Sequence, residues 1–187
     1  HLGTPEEQGR AKVVTAFSPK GGIGRTTLVS NLAVATKLAT DKRVLLIDGN
    51  LAFGDLAVAL NLPTTKTIVD LAFNAGHLDV DFVTDVLATH SSGVKVLLAA
   101  PSPQDAEGIT SDQLRTIIGQ VVMMFDYIFV DSRPSFDDLQ LALLDLSDTV
   151  LLTMTMEMTA IKAAKQYLEV AELLGYPSEK TMLVLNR

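Results

Sequence analysis

Six short runs of nearly unbroken apolar residues, separated by helical patterns, constrain this chain more than any other feature. They are Lys12–Phe17, Arg43–Asp48, Val94–Ala99, Tyr127–Asp131, Thr149–Met154 and Thr181–Leu185. A strand that is apolar on both faces has no side to give to water, so it belongs in a sheet covered above and below. The intervening patterns predict helices over Thr26–Thr40, Asp81–Thr89, Asp112–Phe125, Phe136–Leu146 and Thr159–Leu174. Two of these open on an aspartate, which suits a helix N-terminus, and the last is stopped by Gly175 and Pro177. Strand–helix alternation of this kind predicts a three-layer α/β/α sandwich with a mainly parallel sheet. In such sheets ligands sit at the carboxyl ends of the strands.

Composition narrows the function classes. With 187 residues, 48% of them hydrophobic, the chain has enough for one ordinary core and too much apolar content for disorder. There is no cysteine, which removes disulfides and thiolate metal sites and is compatible with the cytoplasm. No apolar run approaches the ~20 residues of a membrane span, so a membrane enters only indirectly. The net charge of −7 leaves no strong case for a nucleic-acid partner, although a small basic patch is compatible with it. Residues 1–11 are largely polar and read as a linker or tail, with the domain over 12–187. Because Asn186 and Arg187 directly follow an apolar run, we expect the C-terminal part of the domain to lie beyond them.

The first strand runs into Lys20-Gly21-Gly22-Ile23-Gly24-Arg25-Thr26-Thr27 and then into a helix. Strand, glycine-rich loop and helix in that order form a phosphate cradle. The glycines turn the backbone tightly so that its N–H groups face phosphate oxygens, and the helix presents further free N–H groups to the same anion. Thr26 supplies a hydroxyl suited to Mg²⁺.

"KGGIGRTT" resembles the deviant Walker A motif of the ParA/MinD ATPases, a P-loop NTPase-like fold. The resemblance implies ATP/ADP and Mg²⁺ as cofactors, held by Gly21, Gly22, Ile23, Gly24, Arg25, Thr26 and Thr27. It implies that Lys20 reaches across a homodimer interface to the partner's nucleotide. Arg25 stands where the motif has lysine; it keeps the charge, but its guanidinium is wider and binds phosphate in a bidentate manner. "FDYIFVDSRPSFDDLQLALLDLSDTVLL" resembles the family's Walker B region and places Asp131 on Mg²⁺. Asp48 matches the first acid of a DxD element and falls in the Mg²⁺ hydration shell, while the second acid is replaced by Asn50. An amide carries no charge and is no useful base. Ala52 and Arg133 also depart from the family pattern, so the departures gather on the hydrolysis side. Asn186 matches an asparagine that reads the adenine edge, with Arg187 stacking beside it.

"FGDLAVALNL" and "PSFDD" resemble most the TadZ/CpaE pilus-assembly branch. That branch implies an ATP-dependent dimerising switch or weak ATPase that positions a pilus or secretion apparatus, at a cell pole or the inner membrane surface. The alternatives are a non-hydrolysing scaffold and a partition or division-site ATPase. His77 and His90 read as solvated. Met123, Met124, Met154, Met156 and Met158 read mostly as core, except that "TMTMEMT" offers exposed methionines near the expected interface, with Glu157 in the dimer face.

Overall fold

The computed structural model describes residues 9–186. Seven strands form one sheet: β1 Lys12–Phe17, β2 Val44–Asp48, β3 Ala88–Thr89, β4 Lys95–Leu97, β5 Tyr127–Asp131, β6 Thr149–Met154 and β7 Thr181–Leu185. Their order is β3-β4-β2-β5-β1-β6-β7, and every pairing is parallel except β3 with β4. Among the described residues eight α-helices connect them, α1 Arg25–Ala39, α2 Leu56–Ala59, α3 Ile68–Phe73, α4 Val80–Val86, α5 Pro103–Ala106, α6 Ser111–Val121, α7 Asp138–Leu146 and α8 Met158–Leu173, with short 3-10 turns at Ala75–His77 and Ser178–Lys180.

The period-2 alternation of strand side chains divides the core between two faces. Val14, Ala16, Leu46 and Phe129 point to the face covered by α1, packing on Val29 and Ala33. Val13, Leu45, Ile47 and Val130 point the other way, under α3, α4, α6 and α7. On that same face Phe17 and Leu152 continue the core beneath α8, where Tyr167 is fully buried and its ring lies 5.3 Å from that of Phe17. The three-layer sandwich is thus as the sequence pattern predicts. β7 forms one edge, and Met182, Leu183 and Leu185 on it are more than half exposed.

Several boundaries differ from the sequence reading. The helix expected over Asp81–Thr89 stops at Val86, because Leu87 turns extended and Ala88–Thr89 pair antiparallel with β4. Asp112–Phe125 ends at Val121, and Phe136–Leu146 starts only at Asp138, where the Asp137 carboxylate accepts the Gln140 N–H as a cap. Val94–Ala99 narrows to three paired residues. The short α2, α3 and α5 are too brief to leave a 3.6-residue period in the sequence. Ala11 is buried and its N–H donates to the Val122 carbonyl at 2.7 Å, so it belongs to the domain rather than to the preceding tail. Met154 is core, but Met123, Met156 and Met158 are exposed; for Met123 this corrects the core assignment, since α6 has already ended there.

Candidate functional site: a glycine-rich phosphate cradle

The sheet register assembles the site. Asp48 pairs with Asp131 at the carboxyl ends of β2 and β5, and Asp131 pairs with Ala16 of β1. The loop after β1 therefore leaves the sheet beside two carboxylates more than eighty residues apart in sequence.

The loop requires glycine at two points. Gly22 and Gly24 have φ of 73° and 83°, a left-handed backbone that other residues adopt at a cost. A Cβ on Gly24 would also fall 2.5 Å from Asn186 Nδ2. Gly24 is the residue before α1, and no side chain caps that helix; its first turn holds no acid. By contrast Thr67, Asp79, Ser102, Thr110 and Asp137 each cap the helix they precede. The N-terminus of α1 is thus left with free N–H groups and the positive end of the helix dipole, facing the glycine loop.

Beside it, Thr26 Oγ1 donates to Asp131 Oδ2 at 2.5 Å, while Asp131 Oδ1 is buried without a hydrogen-bond partner. A buried carboxylate oxygen in that condition is suited to a cation or its water. Burial raises the Asp131 carboxyl above its ordinary range; the Thr26 hydrogen bond and the Arg25 charge oppose the rise. Asp48 is pushed up to about 7, again by burial first, opposed by the Leu56 N–H, with the Asp131 charge adding to the rise. Thr26, Asp131 and Asp48, the residues that the sequence assigns to Mg²⁺, are thus brought together, Thr26 by its hydrogen bond to Asp131 and Asp48 by the sheet register. When bound, Mg²⁺ would neutralise phosphate charge at this position.

Asp48 does more than the sequence suggests. Its Oδ1 accepts the Asn50 N–H at 3.2 Å and its Oδ2 the Leu56 N–H at 3.1 Å, so one carboxylate closes the 49–56 loop. That closure depends on Gly54, where a Cβ would lie 2.3 Å from Asp48 Oδ2 and 2.3 Å from the Ala99 Cβ. Sequence reasoning missed Gly54; a glycine between Phe53 and Asp55 was its only sign. Asn50 folds back on its own turn, donating from Nδ2 to the Phe53 carbonyl at 2.6 Å.

The cations are placed differently from one another. Arg25 is half-buried, and its Nη1 donates to the Ser18 carbonyl at 3.3 Å across the loop. Burial lowers its guanidinium from the ordinary value, and Asp131 opposes this. Lys20 Nζ pairs with Glu157 and donates to Thr159 Oγ1 at 2.9 Å, both at the start of α8. The sequence did not foresee this pairing, because it spans more than 130 residues. Arg133 stays outside the cradle and pairs with Asp137 at 2.6 Å. Asn186 is brought against the loop, donating from Nδ2 to the Ile23 carbonyl at 2.8 Å. Between Asn186 and α1 lies a cleft of about 330 Å³ lined by Gly24, Thr27, Leu28, Asn31, Leu32 and Ala35. Arg187 lies outside the described residues. His77 is exposed, and His90 is partly buried with its Nδ1 against Ser92 Oγ.

The AAA domain family (AAA_31) matches residues 11–182. The chain belongs to the ParA/MinD superfamily. It is 32% identical over 176 residues to an uncharacterized ATP-binding protein, MJ0169, of Methanocaldococcus jannaschii, and 28% identical over 179 residues to the septum site-determining protein MinD of Thermotoga maritima. In each case 94% of this chain and 64% of the relative are covered, so the chain spans about two thirds of the length of these relatives at most. Among solved structures, a ParA family ATPase from Chlorobium tepidum superposes with a TM-score of 0.88 at 24% identity, covering 94% of this chain and 74% of that one. MinD of Pyrococcus horikoshii, solved with Mg-ADP, gives 0.79 at 20% identity, covering 94% and 70%. These superpositions establish the fold. Among the described residues, no helix is long and apolar enough to cross a membrane.

Proposed function

We propose that this ParA/MinD-type chain binds ATP with Mg²⁺ and acts as an ATP-dependent dimerising switch with weak hydrolysis. The observation that carries this reading is the uncapped N-terminus of α1 facing a glycine loop, with the unpartnered Asp131 Oδ1 beside Thr26. Gly21 to Thr27 cradle the phosphates. Asn186 has its amide N–H₂ tied to Ile23, which leaves Oδ1 to accept from a base; adenine presents an exocyclic amine there and guanine a carbonyl. ATP is therefore favoured over GTP.

Weak hydrolysis follows from two side chains. Asn50 offers no charge to orient or activate water, and its amide is already engaged within its own turn. Arg25 keeps the positive charge but in a wider group that reaches the Ser18 carbonyl. Loss of about 1.4 kcal/mol of transition-state contact slows turnover tenfold. Titration calorimetry with Mg-ATP tests binding, and absence of heat from a correctly folded protein would sink this reading. Phosphate release then separates switch from scaffold. We expect Arg25→Lys with Asn50→Asp to raise turnover at least tenfold over the unmodified chain.

The cellular role rests on the phrases "FGDLAVALNL" and "PSFDD", which favour a TadZ/CpaE-type function in placing a pilus or secretion assembly, on the cytoplasmic side of the inner membrane or at a pole. The identity with MinD supports a second reading, a partition or division-site ATPase. Deletion of the gene distinguishes the two: loss of surface pili with normal septa favours the former, and displaced septa the latter.

A further inference from the structure

A second cleft lies at the other end of the sheet. Val44 and Lys95, the first residues of β2 and β4, line it together with Thr84 of α4, Leu87 just after that helix, and Phe125 after α6. Its volume is about 550 Å³. Leu87 and Phe125 are buried and form its apolar floor, while Val80 and Met123, 54% and 65% exposed, stand on its rim. Val44 and Asp48 occupy opposite ends of β2, roughly 13 Å apart at about 3.3 Å per residue, so this cleft is separate from the phosphate cradle.

The charge around it runs against the whole chain. The protein carries 22 acids against 15 lysines and arginines. Yet the cleft is lined by Lys37, Arg43 and Lys95 and by no carboxylate. Arg43 is matched by Asp126 at 3.0 Å. Lys37 donates to the Lys42 carbonyl at 3.1 Å and Lys95 to Thr89 Oγ1 at 2.8 Å. Among the described residues, neither lysine has a carboxylate within ion-pair distance. On α4, the nearby Asp85 is held by Lys66.

We propose that this cleft docks a short acidic segment of a partner protein, one bulky apolar side chain entering the cavity and flanking carboxylates meeting Lys37 and Lys95. Concavity favours this occupant over a lipid surface, because a bilayer contact needs apolar groups that stand proud of the protein. An apolar anchor in a pocket with charges at the rim is the usual division of labour in peptide recognition: the anchor supplies affinity, the charges steer and select. The apolar floor gives no aromatic face to stack a nucleotide base, since Phe125 is buried.

The test is selection of a displayed library of random 16-residue peptides on the 187-residue protein, followed by fluorescence anisotropy with the enriched peptides. We expect enrichment of sequences with a large apolar residue flanked by Asp or Glu. Their affinity should fall at least tenfold in Lys37→Glu/Lys95→Glu and weaken with salt. Thr84→Trp, which fills the cleft from the exposed side of α4, should abolish binding while circular dichroism and thermal melting stay native. ADP or ATP should leave affinity unchanged, so the result stands apart from the nucleotide reading. The proposal is overturned if no peptide is enriched, or if enriched peptides bind both variants as well as the parent. It is also overturned if the same lysines instead govern binding to vesicles containing phosphatidylglycerol, or a concentration-dependent dimer of the free protein.

Discussion

Asp48 is almost without water, accepts two backbone N–H groups, and has its carboxyl pushed up to about 7. In the unfolded chain the same group titrates near the ordinary carboxylate value. Between those two pH values the folded protein holds a proton that the unfolded chain has lost, so stability falls as pH rises through this window. Below the lower value the effect vanishes, and above about 7 it is constant. We expect the stability of the native chain, relative to Asp48→Asn, to drop by a few kcal/mol (about 1.4 kcal/mol per pH unit at most) between pH 4 and pH 7.5. Urea denaturation at a series of pH values without Mg²⁺ checks this; parallel curves for the two proteins would contradict it. The identity of Asp48 as a site residue was legible because it ends an apolar strand. Its clasp on the 49–56 loop was not, because the loop path depends on how closely Gly54 approaches it.

Five helices are closed at their N-termini by side chains; of the three that are not, α1, α2 and α8, it is α1 that opens toward the glycine loop. α3 has a full capping box, with Thr67 and Asp70 exchanging hydrogen bonds, and α6 has the same with Thr110 and Gln113. Replacing Thr67 by alanine should cost about 1 kcal/mol and lower the melting temperature by about 2–4 °C. A calorimetric scan measures that shift, and no shift would mean that the cap is redundant with tertiary packing. Mg-ATP binding should be unaffected, because the Thr67 hydroxyl bonds only within the first turn of α3. At this scale the sequence was most readable for long elements: β1, β5, β6 and β7 were placed to the residue, and α1 and α8 to within one. Helices α2 and α5 have four residues each, too few for periodicity to register. The β3 pair was hidden because two residues carry no alternation and their partner lies across a turn.

At the scale of the molecule, the proposed switch is a change in assembly. Lys20 is held in its own subunit by Glu157 and Thr159 at an exposed position. Such a surface pair contributes little stability, so the lysine is readily released to another anion. We expect light scattering on the protein to give a monomer mass with Mg-ADP and twice that mass with Mg-ATP. Lys20→Ala should remain monomeric with either nucleotide while still binding it. A native protein that stays monomeric with saturating Mg-ATP would leave the site as a static one.

The sequence by itself determined what depends on neighbours along the chain. Buried parallel strands show as unbroken apolar runs, and a left-handed turn onto a helix shows as glycines in a fixed local order. Covalent proximity makes both readable without a fold. Only the tertiary structure decided which of those strands lie side by side. Strand order is set by burial of whole faces against α1 on one side and α3 to α8 on the other, and no local pattern encodes it. That order brings Asp48 beside Asp131, Asn186 against Ile23, and Lys20 to Glu157. It also leaves Lys37 and Lys95 around one cavity at the end of the sheet opposite the glycine loop.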